Sequence, residues 1–87
     1  MSFAEIKNVI TRIFRENALE EGIEYKEGLS FSEMGLNSLL YVKSIVQIEE
    51  ELNFEFDDNA LDFSNMISVD EIINLAFDKI QRFTKNN

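Results

Sequence analysis

The stretch from Phe31 to Phe56, FSEMGLNSLLYVKSIVQIEEELNFEF, decides how the rest of the chain is read. A glycine and an asparagine stand just ahead of a long run of helix-compatible residues. Gly35 lets the backbone turn sharply. Leu36 gives that turn an apolar anchor, and the side-chain oxygen of Asn37 is suited to accept from free amides in a first helical turn. A helix is therefore expected from Ser38 to Leu52. Val42, Ile45, Ile48 and Leu52 recur at helical spacing and make its main stripe, with Leu39 and Val46 beside it. Asn53 closes the helix, and Phe54 and Phe56 then alternate with Glu55 in a short extended connector.

Upstream, Phe3, Ile6, Ile10 and Ile13 make a second helical stripe flanked by Val9 and Phe14. Ser2 and Glu5 have capping-box spacing, so a first helix is expected over about Phe3 to Asn17. From Ala18 to Asn37 the period fails. Leu29, Phe31, Met34 and Leu36 recur irregularly among acids and glycines, which predicts a long ordered loop pinned by these four residues. So long a loop is unusual in a compact domain unless it serves a function.

Downstream, Asp57 to Asn65 has room for only a turn or two of helix, with Leu61, Phe63 and Met66 facing inward. Ser68 and Glu71 form another capping box and open a final helix to about Thr84. Its face comprises Ile72, Ile73, Leu75, Ala76, Phe77 and Ile80, with Phe83 at the end. Lys79, Arg82 and Lys85 fall near its C-terminus, where positive charge suits the helix dipole. The expected fold is all-α: a small four-helix bundle of three main helices and one short one, with a long loop after the first. The chain, 1–87, is expected to be a single domain, and most of its eight phenylalanines are expected in the core.

Composition narrows the chemistry. The chain has no Cys, His, Trp or Pro, so thiol nucleophiles, imidazole bases and Cys/His zinc sites are excluded. Seventeen acids against eight bases give a formal net charge of −9, which repels nucleic acid and anionic membranes and favours partners with basic patches. No apolar run is long enough to span a bilayer, so a cytoplasmic, monomeric protein is expected. The stretch from Glu49 to Asp62 holds seven acids and no base. It is not a calcium loop, because Asp57 to Asp62 lacks the required glycine and the regular oxygen ligands. No metal site is expected.

The segment Gly35 to Leu39 carries the function. Ser38, as first helical residue, would project its hydroxyl at the positive end of the helix dipole, where amides and dipole both favour negative charge. With no His or Cys to activate it, Ser38 is an acceptor modified by another enzyme, not a nucleophile of its own.

From Phe31 to Ala76 the sequence resembles the acyl and peptidyl carrier protein family. The likeness lies in an ordered combination: an apolar loop residue, Gly35-Leu36-Asn37-Ser38-Leu39, a helix ending in Glu49-Glu50-Glu51-Leu52, a short acidic connector, and a last helix opened by Ser68-Val69. The resemblance implies that Ser38 accepts 4′-phosphopantetheine from coenzyme A through a Mg²⁺-dependent phosphopantetheinyl transferase. Its hydroxyl would attack the β-phosphate, leaving a phosphodiester and a terminal thiol that carries acyl or aminoacyl groups as thioesters. It further implies that Leu39 and Val46 are apolar contacts for partner enzymes and that Glu49 and Glu50 meet their basic patches. Those partners would be a loading enzyme, adenylating or acyl-transferring, and downstream synthase or tailoring enzymes.

Two departures stand out. The family usually has Asp before the modified serine, where it helps hold the transferase's metal, and this chain has Asn37. Fatty-acid carriers commonly place acids in the first turns of this helix, whereas here Leu40 and Lys43 make it apolar and locally positive. The expected function is a stand-alone carrier for nonribosomal peptide, polyketide or other specialised biosynthesis. A fatty-acid carrier is the nearest rival, and an unmodified acidic helical interaction module is the rival of another class. Enzymatic activity of its own is not expected.

Overall fold

A computed structural model describes residues 1–85, except for the side chains of 65 and 83–85, so the expected roles of Phe83 and Lys85 lie outside the described residues. The elements in order are α1 (Phe3–Glu20), α2 (Phe31–Met34), α3 (Ser38–Leu52), two 3₁₀ turns (Asp58–Leu61 and Phe63–Asn65) and α4 (Val69–Lys85). Among the described residues the only extended pairing is an isolated bridge between Ser30 and Ser68. The all-α expectation holds.

Side-chain chemistry sets most of the helix ends. At the start of α1, Ser2 accepts from the Glu5 amide at 3.2 Å and Glu5 returns to the Ser2 amide at 3.1 Å, as the spacing predicts. The helix continues three residues beyond the expected end at Asn17. Asn17 and Ala18 are buried against α3, and this burial offsets the loss of apolar period that suggested a stop. Asn17 is anchored there because its Nδ2 donates to Ser44 Oγ at 2.9 Å and Gln47 Oε1 at 2.6 Å.

Those bonds also show how α1 and α3 run. Arg12 pairs with Glu51, Asn17 with Ser44 and Gln47, and Glu20 with Lys43. Rising numbers on one helix meet falling numbers on the other, so the pair is antiparallel. α4 packs on the other flank of α1, with the Phe3 and Phe77 rings edge-to-face at 5.1 Å.

The core is one cluster of residues drawn from all these elements, including Ile6, Ile10, Phe14, Phe31, Tyr41, Ile45, Ile48, Phe56, Ile72 and Ala76. Burying each large side chain contributes about 1.5–3 kcal/mol. Phe14, Phe31 and Phe56 are buried, Phe54, Phe63 and Phe77 partly so, and Phe3 is exposed.

Four expectations need correction. The loop after α1 contains α2, with Ser30 and Glu33 making a reciprocal capping box. In α3 the inward face is Leu40, Tyr41, Ser44, Ile45, Ile48 and Leu52, while Val42 turns out to the surface. Leu40 therefore adds nothing to the exposed first turn. The expected turn or two of helix after Asp57 is present as two 3₁₀ turns, but Ala60 and not Leu61 points inward. Leu75 of α4 is also exposed, since Ile72, Ile73 and Ala76 fill the inward positions.

The start of α4 departs in detail from a capping box. Ser68 Oγ accepts from the Glu71 amide at 3.4 Å, but the Glu71 carboxylate accepts from the Ile67 amide at 3.1 Å, one residue earlier than the pattern requires.

Tyr41 ties α3 to the connector. It is fully buried, and its hydroxyl donates to the Ala60 carbonyl. Burial pushes the Tyr41 phenol up, with Glu71 and Asp62 adding to the shift. A raised pKa favours the protonated folded state. The stability it reports is fully present below the unfolded phenol value of about 10 and is lost as pH rises through the folded value. Tyr41→Phe is expected to cost about 1–2 kcal/mol in urea unfolding at neutral pH, because the Ala60 carbonyl loses its partner. The same variant should lose less stability than the parent between neutral pH and pH above ~10.

Candidate functional site

Two short pieces of backbone chemistry deliver the chain to the start of α3. Gly35 ends α2 in the left-handed region at φ 79°, where a side chain would be strained. Its amide and that of Leu36 turn back onto α2, the Leu36 amide donating to the Phe31 carbonyl at 3.1 Å. Leu36 is then buried, so the turn is anchored as the sequence predicts.

Asn37 is extended, at φ −100° and ψ 168°, and its Oδ1 accepts from the Leu40 amide at 2.8 Å. The Asn37 carbonyl takes the Tyr41 amide at 3.1 Å. The Ser38 and Leu39 amides find no acceptor among the described residues. The Ser38 side chain is exposed, and no described residue hydrogen-bonds it.

The side chains around Ser38 sort by direction. Successive helix residues turn by about 100°, so Leu40 and Tyr41 go inward while Ser38 and Leu39 stay outside. Leu39 is 80% exposed, Val42 37% and Val46 41%, so the three form an apolar row along the outer face at spacings of three and four residues. Sequence reasoning placed Leu39 and Val46 there and missed Val42. The buried pair Tyr41 and Ser44, polar yet facing inward, is the sequence signal that could have found it.

The charged residues are divided in their use. Glu49 is partly buried, and its carboxylate accepts from the Phe56 amide at 2.9 Å. It thus holds the connector, while Glu50 beside it is exposed. Glu51 pairs with Arg12. Lys43 and Glu20 meet at 3.3 Å, both exposed. Near the site, hydrogen bonds from the Ser30 amide and hydroxyl hold the Glu33 carboxyl below the usual carboxylate range. α3 carries no acid before Glu49, so the surface next to Ser38 is apolar and weakly charged.

The arrangement leaves the Ser38 hydroxyl open to solvent. A free hydroxyl, two unpaired amides and the positive end of a fifteen-residue helix suit a phosphodiester. The chain contains no His or Cys, and no described residue hydrogen-bonds the Ser38 hydroxyl.

The family model described as the phosphopantetheine attachment site matches residues 5–75. No curated protein and no solved structure matches the chain.

The turn and the cap are separable in experiment. A Cβ at Gly35 would meet nothing within 4 Å, so Gly35→Ala should cost only the left-handed backbone penalty, about 1–2 kcal/mol. Asn37→Ala should cost about 1 kcal/mol through loss of the cap, and Asn37→Asp much less. Thermal or urea unfolding of the three variants checks this order.

Proposed function

We propose, for a chain that belongs to the phosphopantetheine-attachment family, that Ser38 is the residue bearing the arm. Membership makes the protein a carrier and not itself an enzyme, with covalent 4′-phosphopantetheine as its cofactor. What supports Ser38 is its bare hydroxyl at the first position of α3, inside the matched region. An acyl or aminoacyl group would then be held as a thioester on the terminal thiol of the arm.

The partners are a phosphopantetheinyl transferase, a loading enzyme and the synthase or tailoring enzymes that use the cargo. Leu39, Val42 and Val46 are their apolar landing row, with Glu50 the exposed acid at its far end. Glu49 takes a lesser part, since its carboxylate already serves the Phe56 amide. Such a surface gains affinity mainly from apolar burial and little from long-range attraction.

The weakly charged first half of α3 favours nonribosomal peptide, polyketide or other specialised biosynthesis over fatty-acid synthesis. An adenylating enzyme that loads an amino acid would support peptide assembly. Malonyl loading would favour polyketide or fatty acid. No helix among the described residues is long and apolar enough to cross a membrane, and we place the protein in the cytoplasm as a single-domain monomer.

Incubation with coenzyme A, Mg²⁺ and a broad-specificity transferase should add the mass of one phosphopantetheine to the peptide containing Ser38. Ser38→Ala should abolish the gain with an unchanged circular dichroism spectrum. No gain on the parent protein would instead favour an unmodified interaction module. Leu39→Asp, at an exposed position, should keep the fold and lower transferase kcat/KM by about tenfold or more, as central interface residues do.

A further inference from the structure

An apolar cargo tethered at Ser38 will seek apolar surface within reach of its arm. Three regions are near enough: the interior between α3 and the connector, a groove on the outer side of α2, and a hollow beyond Gly35 that Glu24, Lys26 and Glu33 make the more polar of these last two.

The interior is filled. Tyr41 lies three residues after Ser38 and is fully buried. Its ring centroid is 5.3 Å from that of Phe31 and 5.1 Å from that of Phe63, with Phe14 at 6.3 Å. Its hydroxyl is committed to the Ala60 carbonyl. An entering chain would have to displace a packed ring and leave that carbonyl buried without a partner.

The outer side of the same cluster is open. Phe31, Gly35, Leu36, Phe63, Met66 and Ile67 line a groove of about 610 Å³ between α2 and the second 3₁₀ turn. The Phe31 amide donates to the Ile67 carbonyl at 2.8 Å and fixes one wall to the other. Ile67 is 66% exposed at the rim. Gly35 stands three residues before Ser38, so at most about 11 Å of backbone separates the groove from the proposed attachment point.

We infer that Tyr41 closes the interior to cargo and that the outer groove receives it, which suits an aliphatic or aromatic acyl group of about five apolar carbons or more. This rests on Ser38 as the attachment site. The size follows from the tether. A short flexible linker gives an effective concentration of the order of millimolar. Each buried methylene favours the docked state by about fourfold, so about five give a thousandfold, enough for a dissociation constant near a millimolar. Two carbons fall short.

The test uses protein whose arm has been located at Ser38 by mass, carrying acetyl, hexanoyl, phenylacetyl or decanoyl groups through a hydrolysis-resistant amide. In proton–nitrogen correlation spectra, hexanoyl and phenylacetyl should shift the Ser32, Gly35, Ser64 and Ile67 amides. The Ile10 and Ile45 amides should stay in place with every cargo, and acetyl should shift neither set. Ile67→Asp should reduce the hexanoyl shifts at least threefold at matched loading. In Tyr41→Ala, or Tyr41→Leu where the alanine variant does not fold, decanoyl should shift Ile10 and Ile45 and raise the melting temperature above that of the acetyl form.

Shifts of Ile10 and Ile45 by decanoyl in the parent protein would overturn the inference. So would unmoved groove amides with both hexanoyl and phenylacetyl, or a core that stays closed in the Tyr41 variants. Failure of attachment appears earlier, as a missing mass gain, and counts against the site and not the groove.

Discussion

The first turn of α3 must be buried on one side and bare on the other, and the rest of the molecule is arranged to allow this. Leu40 and Tyr41 sink into the core while Ser38 and Leu39, their immediate predecessors, face solvent. The helical turn alone provides that contrast, but only if the helix cannot roll. Roll is resisted on the buried side at two levels. The Tyr41 hydroxyl is bonded to Ala60. One turn on, Ser44 accepts from Asn17 and donates to the Leu40 carbonyl at 2.9 Å. Each buried polar group is satisfied only in this register, so rotation would leave donors and acceptors stranded at a cost of about 1–3 kcal/mol apiece. Apolar burial holds α3 to the core, and the polar pairs fix which face is buried.

The acids divide in a way that bears on recognition. Glu5, Glu33, Glu49, Asp62 and Glu71 accept from backbone amides, and Asp57 pairs with Lys79 at 2.6 Å, which lowers its carboxyl pKa. Most of these acids stabilise turns and ends of helices; of the seven from Glu49 to Asp62, Glu49 and Asp62 do such work and Glu51 and Asp57 form ion pairs. The ion pairs lie on the surface, where each contributes about 0–1 kcal/mol. A net charge of −9 opposes compaction, so the caps and the core must carry the fold. Next to Ser38 few acids remain. The exposed side chains there are mainly the aliphatic Leu39, Val42 and Val46.

The sequence revealed boundaries better than directions. Ser2, Asn37 and Asn53 mark helix ends through side-chain or left-handed backbone chemistry that needs no tertiary partner, so those ends were legible. α2 was not, because four residues cannot show a period; only the Ser30 and Glu33 spacing could have signalled it. Facing failed where hydrophobicity and burial part company. Val42 looks like core and is exposed, while Ser44 looks like surface and is fully buried. Polar groups with dedicated partners had displaced an aliphatic one, and a pattern of apolar residues cannot register that. Leu61 and Ala60 exchange roles for a related reason, since a 3₁₀ turn rotates side chains on a different step from an α-helix.

A carrier works by combining a stiff post with a long flexible arm, and the two demands pull on the same few residues. The post requires that Asn37 cap, Leu36 anchor and Tyr41 lock. The arm requires that the residue between them make no commitments at all. As the proposed attachment point, Ser38 meets the second demand because its neighbours meet the first. Asn37 spends its oxygen on the Leu40 amide, and Leu39 finds no pocket to enter. A more reactive residue at position 38 would not improve such a site. On the proposed reading the chemistry belongs to visiting enzymes, and a base near the arm would promote attack of water on the thioester cargo.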